Sequence, residues 1–452
     1  MSPPLRIVDL EYSLHIALLY VGVVFATAVF ASASIVDRSS KVRSLLTPQT
    51  ERNGCLDGLR GLLALGVFIH HSFTAYGYFT RGQWVWSSSA LFNQLGQSSV
   101  SMFFMLTGFL FSQRLLKSTI DGRAVRWSEL YVSRFARLVP LYAVIVSAAV
   151  LSAFALSGWT LHEPLSAIGV ELADWYLFVI PGRPDINLLP QTATLIAGVN
   201  WSLKYEWYFY FALPLLYWPL RLCMGPRGTR LAILSFVLVL LIGVISRREI
   251  LETRLYLLHF GSGTLAALIY RDPTLRRLIS SRIFQVMATL AVLLLASLPN
   301  SHSTFAVGLT FAFFLAVLGG YDIAGLLKRP AIIWLGEISY GLYLMHGLII
   351  FWTLHYLRES GFLSEMGLLS YTLIVAAIGV LVTAAASIAY IYLEKPSINW
   401  GKSLATSRSW TALGTFPQWH LLPNTHRSFL DPEFARHAAD RRRIRTPHPS
   451  GT

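Results

Sequence analysis

The chain has 452 residues, 54% of them hydrophobic and only 13% charged, and apolar runs long enough to cross a bilayer recur along most of its length. That composition excludes a water-soluble domain. A formal net charge of +14 could suit a nucleic-acid partner, but the basic residues fall in short loops between apolar runs and in the C-terminal tail, as membrane topology requires, so no nucleic acid is expected.

Taken in chain order, the runs predict an all-α integral membrane protein with about eleven transmembrane helices. They cover roughly 15–35, 57–77, 98–114, 138–157, 201–220, 230–246, 255–270, 283–298, 304–321, 332–356 and 367–393. The first follows Asp9 and Glu11 with little positive charge, so it reads as an extra transmembrane helix and not as a secretory signal. Residues 1–50 then comprise that helix and a basic linker, and 51–397 the main transmembrane domain. Residues 398–452 are Pro, Ser, Thr and Arg rich and end in Arg441-Arg442-Arg443-Ile444-Arg445. They read as a disordered basic tail attracted to anionic membrane lipid.

Alternate loops carry the basic residues: Arg38, Lys41, Arg43 and Arg52; Arg114, Lys117, Arg123, Arg126, Arg134 and Arg137; Arg221, Arg227 and Arg230; Arg271, Arg276, Arg277 and Arg282; then Lys328 and Arg329. These loops belong on the cytoplasmic side of an inner membrane, with the N-terminus outside and the C-terminus inside. Arg247, Arg248 and Arg254 are exceptions on the outer side. Neither a fixed repeat nor a matching pair of broken helices is visible, which weakens a transporter reading. Cys55 and Cys223 lack paired or CxxC spacing, so neither a disulfide framework nor a thiolate metal site is expected.

One apolar run carries unusual chemistry: Asp57-Gly58-Leu59-Arg60 opens it, and His70-His71 lies within it. Ionisable groups inside a membrane helix cost roughly 2.5 kcal/mol or more each and are functional by default. Arg60 and His71 are eleven positions apart, which places them on one face at about 16 Å axial separation. An anion held near Arg60 could send a reactive group along the helix towards a base at His71. His70 reads as a helix contact. A metal site from His70, His71, His259 and His346 has no recognisable ligand spacing, and no metal is expected.

With the remaining segments the chain resembles the membrane-bound acyltransferase 3 family, whose members O-acylate envelope and extracellular glycans. The resemblance starts at Leu56-Asp57-Gly58-Leu59-Arg60-Gly61 and reproduces an arginine, ten residues, then a histidine at His71. It continues through Ser101-Met102-Phe103-Phe104-Met105-Leu106-Thr107-Gly108-Phe109, then Arg134-Phe135-Ala136-Arg137 followed by Pro140, then Trp201-Ser202-Leu203-Lys204-Tyr205-Glu206. It closes with Ile338-Ser339-Tyr340-Gly341-Leu342-Tyr343-Leu344-Met345-His346 and Glu394-Lys395-Pro396. Thr107, Tyr208 and Met345 depart from the usual Ser, Gln and Trp. The resemblance implies an O-acyltransferase using cytoplasmic acyl-CoA, with acetyl-CoA the expected donor, and a glycan or glycolipid acceptor at the outer face.

Acyl transfer from a thioester to a sugar hydroxyl needs a base for the hydroxyl proton, donors for the developing oxyanion and a grip on the donor's phosphates. His71 suits the base or can carry the acyl group covalently. Arg60 would hold donor phosphate or orient the thioester. Arg134 and Arg137, three apart on one face, would bind the nucleotide phosphates, since guanidinium forks match phosphate geometry, with topology signals the lesser reading. Asp57 either supports catalysis or caps the helix start and pairs with Arg60. Glu206 supports the site or hydrogen-bonds the acceptor. Trp201, Ser202, Tyr340 and His346 are the further candidates for the acceptor wall; Trp201 and Ser202 could instead begin and anchor a helix, and His346 could be a packing contact. Residues 158–200, with Trp84, Trp86 and Trp175, could form an outer aromatic cleft for sugar or an interfacial belt. A permease for a lipid, sugar or organic anion, and a noncatalytic scaffold, are the readings from other classes.

Overall fold

The computed structural model describes residues 13–46, 54–246, 252–298 and 303–406, and among them every regular element is helical. The expectations resting on Asp9, Glu11, Arg52, Arg247, Arg248, the Arg254 side chain and the tail from residue 407 lie outside the described residues.

Each predicted run falls on a helix or a bent pair of helices. In chain order these are α1 (Leu14–Arg38), the short α2 (Ser40–Leu46), α3 (Gly54–Arg81), α4 (Ala90–Ile120), α5 (Trp127–Leu156) and α6 (Leu165–Tyr176). There follow α7 (Asn200–Leu222), α8 (Pro226–Ser246), α9 (Glu252–Arg271), α10 (Pro273–Ile279), α11 (Arg282–Ser297) and α12 (Thr304–Leu318). The last are α13 (Pro330–Glu337), α14 (Ser339–Glu359), α15 (Phe362–Glu365), α16 (Leu368–Ala389) and, after a π turn at Tyr390–Glu394, α17 (Lys395–Thr406). By length and apolarity, 4 helices can cross a membrane unaided, or up to 7 if each bent pair counts as one span. The chain is therefore a multi-pass membrane protein, and the eleven runs are not all independent spans by that measure.

Two boundaries differ from the sequence reading, and both matter for function. The run 138–157 begins earlier, because Glu129 in the first turn of α5 suits the helix dipole and pairs with Arg126 at 2.8 Å and Arg114 at 3.1 Å. Arg134 and Arg137 therefore lie within α5, a turn or more inside its start. The run 332–356 is two helices, α13 and α14, bent by 72°. Ile338, at φ −90° and ψ 6°, carries the turn. Gly336 next to the bend lies against the Asp57 backbone of α3, where a Cβ would collide with the Asp57 carbonyl. This close approach of small residues lets two membrane helices gain dispersion contacts that lipid cannot replace.

α3 lies at the centre, in contact with α4, α13 and α14. The extra N-terminal helix is part of the same packing: α1 lies against α16 and α13. The Tyr20 hydroxyl shares a 2.7 Å hydrogen bond with Ser72, one residue beyond His71, and Ser32 donates to the Ala331 carbonyl. Tyr20 is 1% exposed and stacks on Tyr371 from α16.

The connection between α5 and α7 folds inward. Trp175, Ile186, Asn187, Thr192 and Ile196 have no exposed surface, and the Ile196 backbone meets α14 at Gly347, where a Cβ would clash. Tyr142 donates to the Trp175 carbonyl at 2.7 Å, and Trp175 Nε1 donates to the Pro184 carbonyl at 2.9 Å. Trp175 is therefore a packing residue and not an exposed sugar platform. Phe178, Val179, Asn187, Leu188, Gln191 and Ala197 all adopt positive φ here. Such backbone costs on the order of 1–3 kcal/mol per residue and persists only where packing holds it. The result is that α7 starts inside the bundle.

Candidate active site

A cavity of about 300 Å³ opens between α3, α4, α5, α7 and α14. Four arginines line it, Arg60, Arg114, Arg134 and Arg137, against one carboxylate, Glu206. Two of the four have carboxylate partners: Arg60 pairs with Asp57 at 3.1 Å, and Arg114 with Glu129. Among the described residues no carboxylate lies within ion-pair distance of Arg134 or Arg137. The Arg134 guanidinium lies over the Phe111 ring, 5.3 Å from its centroid, and its Nε is buried without a hydrogen-bond partner. A buried unpaired guanidinium is costly, so a site of this kind favours an anion. The i, i+3 spacing that puts both arginines on one face of α5 is what turns them together into the cavity.

Glu206 is held by Tyr210, whose hydroxyl donates to its carboxylate at 2.7 Å from one turn further along α7. The remaining walls are mostly apolar and aromatic, with Phe103, Phe104 and Phe111 from α4 among them.

The expected residues separate into two places. Arg60, Arg134, Arg137, Ser202, Glu206 and Tyr340 share the cavity. His71 and His346 do not line it; they meet each other, His71 Nδ1 lying 2.9 Å from His346 Nε2. Asp57 touches the cavity only through Arg60. Trp201 lies outside it, in an aromatic cluster with Phe104, Tyr205 and Tyr256. His70 is 5% exposed, with Nδ1 2.9 Å from the Phe92 carbonyl and its ring tight against Gly96 of α4, as expected of a helix contact.

One helix joins the two places. From α14, Tyr340 donates to the Leu138 carbonyl of α5 at 2.8 Å, Tyr343 shares a 2.8 Å hydrogen bond with Ser202 of α7, and His346 meets His71 of α3. These three side chains, three residues apart, climb about 9 Å along one side of α14. Tyr340 and Tyr343 lie on the cavity, and the Tyr343 ring is 6.2 Å from that of His346. Tyr343 is the bridging residue that sequence reasoning quoted but gave no role. Its place in the tyrosine and histidine spacing of that segment was the available signal. Tyr210 was also missed, though its i, i+4 relation to Glu206 could have found it. Arg114, a topology charge by its loop position, lines the cavity as well. Of the three departures from the family pattern, Thr107 lines the cavity, whereas Tyr208 and Met345 do not.

Outside the pair, His71 faces aromatic residues of the loop after α3. Trp84 lies 6.0 Å from His71 and Trp86 5.6 Å from His70, ring to ring. Among the described residues no cluster of three or more His, Cys, Asp or Glu could hold a metal ion.

A family model described as an acyltransferase domain matches residues 53–422. Among curated proteins, one from Staphylococcus aureus (strain COL), provisionally named an O-acetyltransferase, is 24% identical over 327 residues, covering 65% of this chain and 50% of its own. The acyltransferase MdmB of Streptomyces mycarofaciens is 33% identical over 175 residues, 38% of this chain and 41% of that protein. The peptidoglycan O-acetyltransferase OatA of Listeria monocytogenes is 24% identical over 340 residues, 65% of this chain and 49% of that protein. The chain thus spans about half the length of the curated O-acetyltransferases it matches. No solved structure matches significantly. With the family model covering most of its length and the arginine-to-histidine helix at its centre, the chain belongs to the acyltransferase 3 family.

Proposed function

We propose that this protein transfers an acyl group, acetyl in the simplest case, from cytoplasmic acyl-CoA to a hydroxyl of a glycan or glycolipid at the outer side of the membrane. The observation that carries the reading is the cavity with Arg134 and Arg137 unpaired by carboxylate, joined along α14 to the His71–His346 pair. Family membership supports O-acyl transfer as the chemistry, and the name of the Listeria relative supports a glycan acceptor.

In this reading Arg134 and Arg137 hold the donor's phosphates, with Arg60 at the same wall. The apolar wall of α4 accommodates the pantetheine arm. The acyl group then extends along α3 towards His71, about 16 Å further on. His71 takes the acceptor's hydroxyl proton or carries the acyl group covalently. Glu206, fixed by Tyr210, offsets part of the cavity's positive charge without pairing directly with an arginine among the described residues. Trp84 beside His71 offers a face for sugar stacking.

Purified protein supplied with acetyl-CoA should release free thiol, faster with the acceptor present. Mass spectrometry of envelope glycans from cells with and without the protein should show acyl esters only with it. Movement of a solute across vesicles without acyl turnover would replace this reading with the permease.

A further inference from the structure

We propose that His346 is a positioning residue that fixes the tautomer of His71, so that Nε2 of His71 is the reacting nitrogen; the proposal rests on the reading of His71 as the acyl-transfer histidine. His346 has no exposed surface, so it meets neither substrate. Its Nδ1 lies 3.0 Å from the Leu342 carbonyl. A carbonyl only accepts, so Nδ1 carries hydrogen, and in the neutral ring Nε2 keeps its lone pair. That Nε2 is 2.9 Å from His71 Nδ1, which must therefore donate. The His71 lone pair is left on Nε2.

Ring geometry agrees with this chain of donors. The two imidazoles are within 14° of coplanar, and their centroids are 5.1 Å apart. That separation exceeds the N···N distance by about the width of one ring, as an in-plane hydrogen bond requires. A doubly protonated His346 would be a buried cation, and among the described residues no carboxylate lies within ion-pair distance of it. His70 cannot substitute for His71: its Nδ1 is engaged by Phe92 and its ring is buried, whereas His71 is partly exposed.

The step balances around this atom. As the acceptor oxygen bonds to the acyl carbon, its proton passes to His71 Nε2. The carbon–sulfur bond then breaks, and the proton goes to the departing sulfur, leaving ester and thiol. While His71 is doubly protonated, its Nδ1–H bond to His346 strengthens, which holds the ring in place through the transfer. If the acyl group is carried covalently, the same lone pair attacks the thioester carbon and the carbon–sulfur bond breaks to leave thiolate. The acceptor oxygen then bonds to the acyl carbon, its proton passes to that thiolate, and the carbon–nitrogen bond breaks to restore the Nε2 lone pair.

The test compares His346→Leu, which removes the acceptor, with His346→Gln, whose side-chain oxygen can occupy the Nε2 position. Thiol release from acetyl-CoA by protein in detergent is the readout, with His71→Ala as reference. His346→Leu should lower kcat about 10–10³-fold, with the KM for acetyl-CoA and the melting temperature unchanged, and His346→Gln should recover at least about tenfold. In nitrogen-15 spectra of histidine-labelled protein, the signals lost in His71→Ala should show a protonated Nδ1 and an unprotonated Nε2. This second measurement reads the wild type, so it decides even if His346→Leu folds poorly. Wild-type rates in both His346 variants, equal losses in both, or a protonated Nε2 on His71 would overturn the proposal. Full thiol release by His71→Ala would instead overturn the parent reading, with the spectrum still judging the pairing.

Discussion

His70 and His71 are neighbours with different surroundings, and substitution should separate them. His71→Ala should leave membrane abundance near normal and lower acyl transfer about 10²–10⁴-fold, the usual loss for a general base. His70→Ala removes a buried ring that bonds the Phe92 carbonyl and packs on Gly96, so its cost should be stability, about 1–3 kcal/mol, with turnover per folded molecule little changed. Turnover and melting temperature measured on both variants check this. For the donor, Arg137→Ala should weaken acyl-CoA binding and Arg137→Lys restore it only in part, because lysine keeps the charge but loses the fork. Arg134 should behave alike. Binding in detergent at several salt concentrations decides it, and unchanged affinity in both alanine variants would return these residues to a topological role.

At this scale the sequence was legible where a residue type is costly in its setting. Arg60 and His71 within an apolar run, and two arginines three apart, stand out because a membrane tolerates few such groups. What was illegible is pairing across the chain. His71 and His346 are 275 positions apart, and Ser202 and Tyr343 are 141 apart. No local period encodes contacts of that range; they follow from which helices pack together. For His346, beside two tyrosines, the sequence offers packing contact and acceptor wall alike, and its complete burial was beyond reach of the sequence.

Among the elements, α13 and α14 matter most, since their bend lays α13 against α3 while α14 presents Tyr340, Tyr343 and His346 to three other helices. The run 332–356 reads as one span by hydropathy, and only Gly336, Glu337 and Ser339 within it mark where the 72° break at Ile338 falls. The mixture of apolar stretches and charged residues in 158–200 does not reveal that its backbone reaches α14. That course is set by close approaches such as the Ile196 backbone on Gly347. Gly336 offers a test of the α13–α3 contact. Gly336→Ala would drive a Cβ into the Asp57 carbonyl, and the resulting shift should cost about 1–3 kcal/mol. It should also lower acyl-CoA affinity, because Asp57 orients Arg60. Gly22→Ala on α1, where no atom lies within 4 Å of the added Cβ, should leave donor binding unchanged and raise stability by at most about 1 kcal/mol, the helix-propensity gain of alanine over glycine. Melting temperature and donor binding measured on the two variants would show whether the backbone contact, and not helix propensity, sets the position of Arg60.

For the whole molecule, the remaining question is how the reaction crosses the membrane. If the basic loops face the cytoplasm, the loop between α4 and α5 is inside and the loop between α14 and α16 is outside. In a background lacking Cys55 and Cys223, a cysteine in place of Ser118, at the end of α4, should be shielded from an impermeant thiol reagent in intact cells. One in place of Ser360, exposed just after α14, should react. With that pattern the arginine cavity is reached from the donor side and His71, beneath Trp84, from the acceptor side. The bundle then has to pass only an acyl group between them, along the α14 stripe of about 9 Å that joins the cavity to the His71–His346 pair. The reverse labelling pattern would place the glycan acceptor in the cytoplasm and require the donor to enter past the tryptophans, against the charge bias of every described loop between α4 and α5, α7 and α8, and α9 and α11.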